Sequence, residues 1–280
     1  MKINIAKSAG FCFGVKRAVD IALKTAKNEK NVEMLGDIVH NEEVVKAIRN
    51  AGIRKVKRLK KGENKVLLIR AHGVSRDTVD RANKFGYKII DATCPMVRGI
   101  HNIVRKMEKM NCKPIIIGDK KHDEVKGIIG QIKTKPIIID SINNIPYGKI
   151  KKVKRACVVV QSTQNIEKVI KLVSILKNYI EDLKFFNTVC NPTRIKQNEI
   201  KTMPKENDIM IIIGSKTSAN TKRLYEISKS LNKKSFWIQS KNDIKTFWFK
   251  DISTVGITAG ASTPDYTTKE IVDFIKNLNN

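Results

Sequence analysis

The chain has 280 residues, 41% of them hydrophobic, which is enough for a sizeable core and excludes wholesale disorder. Fifty-five Lys and Arg against 27 Asp and Glu leave a net charge of +28, which draws anions: nucleic acid, acidic membrane or a small phosphorylated ligand. Aromatics are only 6% and no nucleic-acid reader motif interleaves them with the lysines, so the class that the charge first suggests gains no second support.

In chain order, the N-terminus MKINIAKSAGFCFGVKRAVD lacks the long apolar core of a signal peptide. No stretch approaches the ~18 apolar residues of a membrane span. A cytoplasmic protein with no membrane partner is expected, its cysteines serving as thiols, metal ligands or catalysts rather than disulfides. The first strand-like run reaches Cys12 and passes into a basic amphipathic helical pattern, FGVKRAVDIA. MLGDIVHNEEVV follows, with Gly36 at a strand exit, His40 four residues on and Glu42 two beyond. KVLLIRAHGVS ends another strand in a polar tip at His72. The series then repeats: YKIIDATCPMVRGIHNIV carries Cys94, IIIGDKKHDEV carries Gly118, His122 and Glu124, and ACVVVQSTQ carries Ser162 and Thr163. A third round follows in LKFFNTVCNPTRIKQNEI with Cys190, IIIGSKTSANTKRL with Gly214, Ser218 and Asn220, and TVGITAGASTP with Ser262.

The spacing shows that this is a repeat. Cys12, Cys94 and Cys190 are separated by 82 and 96 residues, and so are Gly36, Gly118 and Gly214. Each glycine follows its cysteine by 24 residues. The polar tips are less regular, lying 36, 44 and 48 residues beyond their glycines when taken at His72, Ser162 and Ser262. Short apolar strands alternating with helical patterns predict α/β units on parallel sheets. Ile209–Ile213 and Pro114–Ile117 read as buried strands that end at Gly. The length alone suggests roughly two domains, whereas the repeat predicts three similar lobes: 14–94, 95–187, and 188–280 plus 1–13, the last closed by the N-terminal strand.

Ligands of parallel α/β units bind beyond the carboxyl ends of the strands, at the N-termini of the following helices. The cysteines and the His, Ser and Asn tips are all expected at that edge. Lobes packed about a pseudo-threefold axis would bring three thiolates together, ringed by neutral donors and one carboxylate. Zinc can be held by three cysteines, but structural zinc sites show paired spacing and four ligands. A nucleophilic cysteine leaves two thiols unexplained. An iron–sulfur cluster takes soft thiolates without local spacing, and a [4Fe–4S] cube on three thiolates keeps one iron free of protein ligand. The pattern favours the cluster and leaves zinc and coincidence open. Cys112 and Cys157, outside the repeat, read as small buried hydrophobes, and His101 as a surface or helix-packing residue. His, Ser and Asn tips beside helix N-termini form a cradle for phosphate oxygens that owes little to Lys or Arg.

The motifs GFCFGVKRAV, DIVHNEEVV, AHGVS, DATCP, GDKKHDEV, QSTQ, TVCNPT, GSKTSANTKRL and TAGASTP, in this order over nearly the whole chain, closely resemble the IspH (LytB) family. Its members reduce 4-hydroxy-3-methylbut-2-enyl diphosphate in the last step of the methylerythritol-phosphate route to isoprenoids. The resemblance implies a trefoil of three α/β lobes around a [4Fe–4S] cluster held by Cys12, Cys94 and Cys190. It implies that His40, His72, His122, Ser218, Asn220 and Ser262 hold the substrate diphosphate. Glu124 matches the family's proton-relay carboxylate, and Ser162 and Thr163 match a Thr pair that orients the substrate hydroxyl. The implied reaction is a two-electron reductive dehydroxylation to isopentenyl and dimethylallyl diphosphate, with a ferredoxin or flavodoxin as electron donor. Three departures stand out: Ser162 replaces the usual first Thr, Ala219 replaces a common second Ser, and Asp123 turns a usual HPEV into HDEV.

Overall fold

The structure, a computed structural model, describes residues 1–278; positions 279 and 280, at the end of the range predicted for the third lobe, lie outside the described residues. The chain opens with β1 (Lys2–Ile5) and α1 (Phe13–Asn28). It continues through β2 (Val32–Leu35), α2 (Glu42–Asn50), β3 (Arg54–Val56), β4 (Val66–Ile69), α3 (Arg76–Lys84) and β5 (Lys88–Asp91). Next come α4 (Pro95–Lys109), β6 (Lys113–Ile117), α5 (Asp123–Ile129), β7 (Ile137–Ile139), the single turn α6 (Tyr147–Ile150), β8 (Arg155–Val160), α7 (Ile166–Lys177) and β9 (Asp182–Phe185). The last stretch holds α8 (Asn191–Glu206), β10 (Ile209–Ile213), α9 (Ala219–Leu231), β11 (Ser235–Ile238), β12 (Thr254–Ala259) and α10 (Asp265–Asn277).

The strands form three four-stranded sheets, in the orders β3-β2-β4-β5, β7-β6-β8-β9 and β11-β10-β12-β1. Every pairing is parallel. The order is the same each time, with the strand that leads to a cysteine always at the same edge. This bears out the α/β reading with three similar lobes. In the third sheet the position filled elsewhere by β5 and β9 is taken by β1, which runs beside β12 from Lys2↔Thr254 to Ile5↔Ile257.

The chain divides into two compact units. One comprises Met1–Lys16, Val39–Val45 and the residues from Asn191 on; the other comprises Arg17–Ile38 and Lys46–Cys190. The first holds one sheet and the second holds two.

Continuous apolar strands arise because both faces of each sheet are covered. On β10, Ile209, Ile211 and Ile213 pack with Ile271, Val272 and Ile275 of α10. Met210 and Ile212 point the other way, to Ile200 of α8 and Leu224 of α9, as the two-residue period of a strand requires. The β6–β8 pair divides in the same manner. Ile115, Ile117, Val158 and Val160 enter one cluster, while Ile116, Cys157 and Val159 enter another with Ile100, Val104 and Met107 of α4.

That second cluster corrects one expectation. Cys112 and Cys157 are buried hydrophobes in position, 2% and 1% exposed, but they are joined as a disulfide with Cα atoms 5.9 Å apart. Residue 112 directly precedes β6, two residues before Pro114, the register partner of Cys157, and side chains on the same sheet face come within bridging reach there. Among the described residues, no helix is long and apolar enough to cross a membrane.

Candidate active site

In each sheet a cysteine lies between the edge strand and a following helix, and its backbone is held in the same way. The N–H of Cys94 donates to Ala71 O (2.9 Å), that of Cys190 to Ser162 O (3.0 Å) and that of Cys12 to Ala261 O (3.1 Å). The acceptor in each case directly precedes a polar tip residue: His72, Thr163 or Ser262. The irregular third element of the sequence repeat is thus regular in space, with 71, 162 and 261 as equivalent positions. All three cysteines are half-buried. Each precedes a helix, α1, α4 or α8, whose amino-terminal end favours negative charge. In α4 the proline that follows Cys94 occupies the first turn, where its missing N–H costs nothing.

The unit containing residues 1–16 holds five of the residues singled out from sequence: Cys12, His40, Ser218, Asn220 and Ser262. Ser218 caps α9, its hydroxyl accepting from Thr221 N–H at 3.3 Å. Asn220 Oδ1 accepts from Ala261 N–H at 2.9 Å. Its amide Nδ2 is buried with no protein acceptor, as a donor kept for a ligand would be. Ser262 Oγ donates to His40 O at 2.9 Å, tying the third sheet's tip to the residue 39–45 segment. Within that segment the cap of α2 falls on Asn41, whose Oδ1 accepts from Val44 N–H at 3.0 Å, one residue past His40. Glu42 accepts from Ser215 Oγ at 2.8 Å, so its register with Glu124 does not carry the same environment.

In this unit, sequence reasoning missed Lys196. Its side chain is 2% exposed, and its ammonium donates to Gly10 O and Ala259 O at 3.0 Å each and to Ser8 O. Burial pulls its pKa down to about 8, against the opposing influence of Cys12, Glu199 and Asp265. One helical turn on, Glu199 accepts from Ser8 N–H at 3.2 Å and from Ser8 Oγ.

The other unit holds His72, Cys94, His122, Glu124, Ser162, Thr163 and Cys190. The rings of His72 and His122 meet edge to face, centroids 5.4 Å apart. His122 caps α5, its Nδ1 accepting from Glu124 N–H at 3.2 Å. Glu124 is 2% exposed, and its carboxylate accepts from Ser162 N–H at 2.6 Å and Ser162 Oγ at 2.8 Å. Burial raises the Glu124 pKa, and the two Ser162 donors pull it partly back. Glu124 and Asn220 are equivalent in this respect: each receives the N–H of the residue before a tip. Thr163 Oγ1 accepts from Gln161 Nε2 at 3.2 Å.

Asp123, one of the three departures, has a partner: its carboxylate pairs with Arg70 at 2.6 Å. Arg70 stands two residues before His72 and Asp123 one after His122, so this pair straps the two histidine loops together. Under the His72 loop lies His101, 6% exposed, in the helix-packing role expected of it. Burial, with Arg105 nearby, lowers its pKa to about 4, so the ring is neutral. Gly73 has φ +70°, and a Cβ there would come within 2.6 Å of His101 Cε1, so the AHGV loop admits only glycine at this position.

The donor set suits a cluster. Three cysteines held alike are soft ligands, and the side chains at the tips are neutral donors, one of which lacks an acceptor. A 4-hydroxy-3-methylbut-2-enyl diphosphate reductase of Aquifex aeolicus is 37% identical over 99% of this chain and 96% of its own length. One of Campylobacter hominis is 38% identical over 99% of this chain and all of its own. The solved structure of an (E)-4-hydroxy-3-methyl-but-2-enyl diphosphate reductase, the terminal enzyme of the non-mevalonate pathway, superposes with a TM-score of 0.73 at 36% identity. It covers 99% of this chain and 100% of that one. The E-1-hydroxy-2-methyl-but-2-enyl-4-diphosphate reductase of Plasmodium falciparum superposes with a TM-score of 0.88 at 27% identity, covering 100% of this chain and 88% of that one. The profile of the LytB protein family matches residues 3–276, and the chain belongs to that family.

Proposed function

We propose that this chain reduces 4-hydroxy-3-methylbut-2-enyl diphosphate to isopentenyl and dimethylallyl diphosphate. Cys12, Cys94 and Cys190 hold a [4Fe–4S] cluster of which one iron has no protein ligand. The carrying observation is the identical seating of the three cysteines, each N–H bonded to the carbonyl that precedes a polar tip. When bound, the cluster supplies single electrons and a Lewis-acidic iron for the substrate hydroxyl. Overall the substrate takes two electrons and two protons, its C–O bond breaks, and water leaves.

The protein's own part is binding and proton supply. His40, His72, His122, Ser218, Asn220 and Ser262 bind the diphosphate through neutral donors, with Asn220 Nδ2 available for a phosphate oxygen. Glu124, whose burial raises its pKa above the ordinary carboxylate value, supplies the proton that completes the leaving water. Ser162 orients it through two hydrogen bonds, so the hydroxyl that survives the replacement of Thr has a task. Thr163 faces the substrate hydroxyl. The electron donor is a ferredoxin or flavodoxin, the lobes are those predicted from the repeat, and the location is cytoplasmic.

Anaerobically purified protein should contain about four irons and four sulfides per chain, and when chemically reduced should convert the diphosphate to both products. Zinc in place of iron, or no conversion by iron-loaded protein, overturns the reading. The Arg70–Asp123 strap gives a finer test. Asp123→Asn removes a half-buried ion pair worth roughly 1 kcal/mol after solvent screening. KM should rise about fivefold with kcat little changed, as expected when binding alone is lost.

A further inference from the structure

Between β1 and Cys12 the chain makes a short irregular loop, Ala6–Phe11, and α8 grips it with two side chains of opposite charge. Lys196 and Glu199 are three residues apart and so share one face of the helix. The ammonium of Lys196 has three donors, and three backbone carbonyls take them: Ser8 and Gly10 in the loop, and Ala259 at the end of β12. The carboxylate of Glu199 takes the N–H and hydroxyl of Ser8. Gly10 has φ +93°, and a Cβ there would run into the Asp265 carboxylate. The loop is therefore held through both its acceptors and its donors, two residues short of Cys12.

Burial of a lysine is costly unless every donor is met, and here the strand edge and the loop meet all of them. Nothing in the packing of α8 demands a cation at this place; Ile200, with Met203 beside it, supplies its apolar contact with β10. What the cation does is fasten the Cys12 loop to β12, whose extension bears Ser262. We propose that Lys196 and Glu199 are positioning residues that fix Cys12 for cluster ligation and place a positive charge beside it. This rests on the reading of Cys12 as a cluster ligand.

The test uses anaerobically purified holoenzyme and three readouts: the rate of iron release to a chelator, the midpoint potential of the cluster, and the thermal unfolding midpoint. Lys196→Met should release iron at least tenfold faster and shift the potential to more negative values, since a nearby cation favours the added electron. Lys196→Arg, which keeps the charge and the donors, should return both toward wild type. Glu199→Gln should speed iron release severalfold with the unfolding midpoint unchanged, and it carries the test if Lys196→Met does not fold. Wild-type rates and potentials in Lys196→Met and Glu199→Gln, or faster release matched throughout by a lower unfolding midpoint, would overturn the clamp. Wild-type protein that holds no iron would instead overturn the cluster reading itself.

Discussion

Cys94→Ser should leave the protein folded and almost without iron, at less than a tenth of the wild-type content, with no turnover. A serine hydroxyl is a hard, protonated donor where the cluster needs a thiolate. The backbone bond from residue 94 to Ala71 O does not involve the side chain and survives the change, so far-UV circular dichroism should match wild type. Cys12→Ser and Cys190→Ser should behave alike, because their backbone seats are equivalent. The control is Cys112→Ser, which breaks the buried pair with Cys157 and touches no tip residue. It should lower thermal stability and keep the iron, along with the broad absorbance near ~410 nm of a cubane cluster. Undiminished iron in Cys94→Ser would sink the ligand assignment.

Glu124→Gln should keep cluster and substrate affinity while kcat falls about 10²- to 10⁴-fold, the range of a lost general acid. Glutamine fills the same space and can still accept the Ser162 N–H, so the packing around residue 124 is preserved. The sign of the pH dependence follows from burial. Desolvation raises the Glu124 pKa above the ordinary carboxylate value, opposed in part by Ser162. The acid form therefore persists to higher pH, and turnover should decline as pH rises through that raised value. Glu124→Gln should lack this alkaline limb. Stability follows the same sign: the contribution of the neutral carboxyl is full below the unfolded-state pKa and is lost as pH rises through the folded one. The unfolding midpoint of Glu124→Gln should be correspondingly flatter toward alkaline pH. Normal turnover in this variant would remove Glu124 from the reaction.

The repeat was legible because cysteine and glycine are rare enough for their spacing to stand out. The interval of 24 residues from each Cys to its Gly reflects a helix of 15 or 16 residues followed by a strand of 4 or 5, α1 with β2, α4 with β6 and α8 with β10. The tips kept a looser interval because the segments between Gly and tip differ: β3 and its basic loop in one lobe, β7 and α6 in the next, β11 and the aromatic stretch 246–249 in the third. Only the hydrogen bonds to residues 71, 162 and 261 reveal them as equivalent.

Lys196 was hidden for the opposite reason. Among 55 basic residues, one buried lysine has no sequence signal, since the helix that carries it is basic and polar on its other faces. Pairing of Cys112 with Cys157 was equally invisible, as it depends on the alignment of β6 with β8 (Pro114↔Cys157). The Arg70–Asp123 pair has no local sequence signal, since 53 residues separate its members. The cap at Asn41 shows the limit of the register argument: a one-residue shift in a loop is invisible to spacing but decides which side chain satisfies the helix end.

The pairing of β1 with β12 also sets an order of events during synthesis. Cys12 is synthesised well before its partners: the carbonyl that seats it belongs to Ala261, and the strand edge beside β1 is made of residues 254–257. A growing chain can complete the sheets built from β2–β5 and β6–β9 as they emerge, while its first strand waits without a neighbour. Truncation anywhere before β12 would leave that strand as an unpaired edge, open to association with other chains. Cys12 thus acquires its seat only after β12 has been synthesised and has paired with β1.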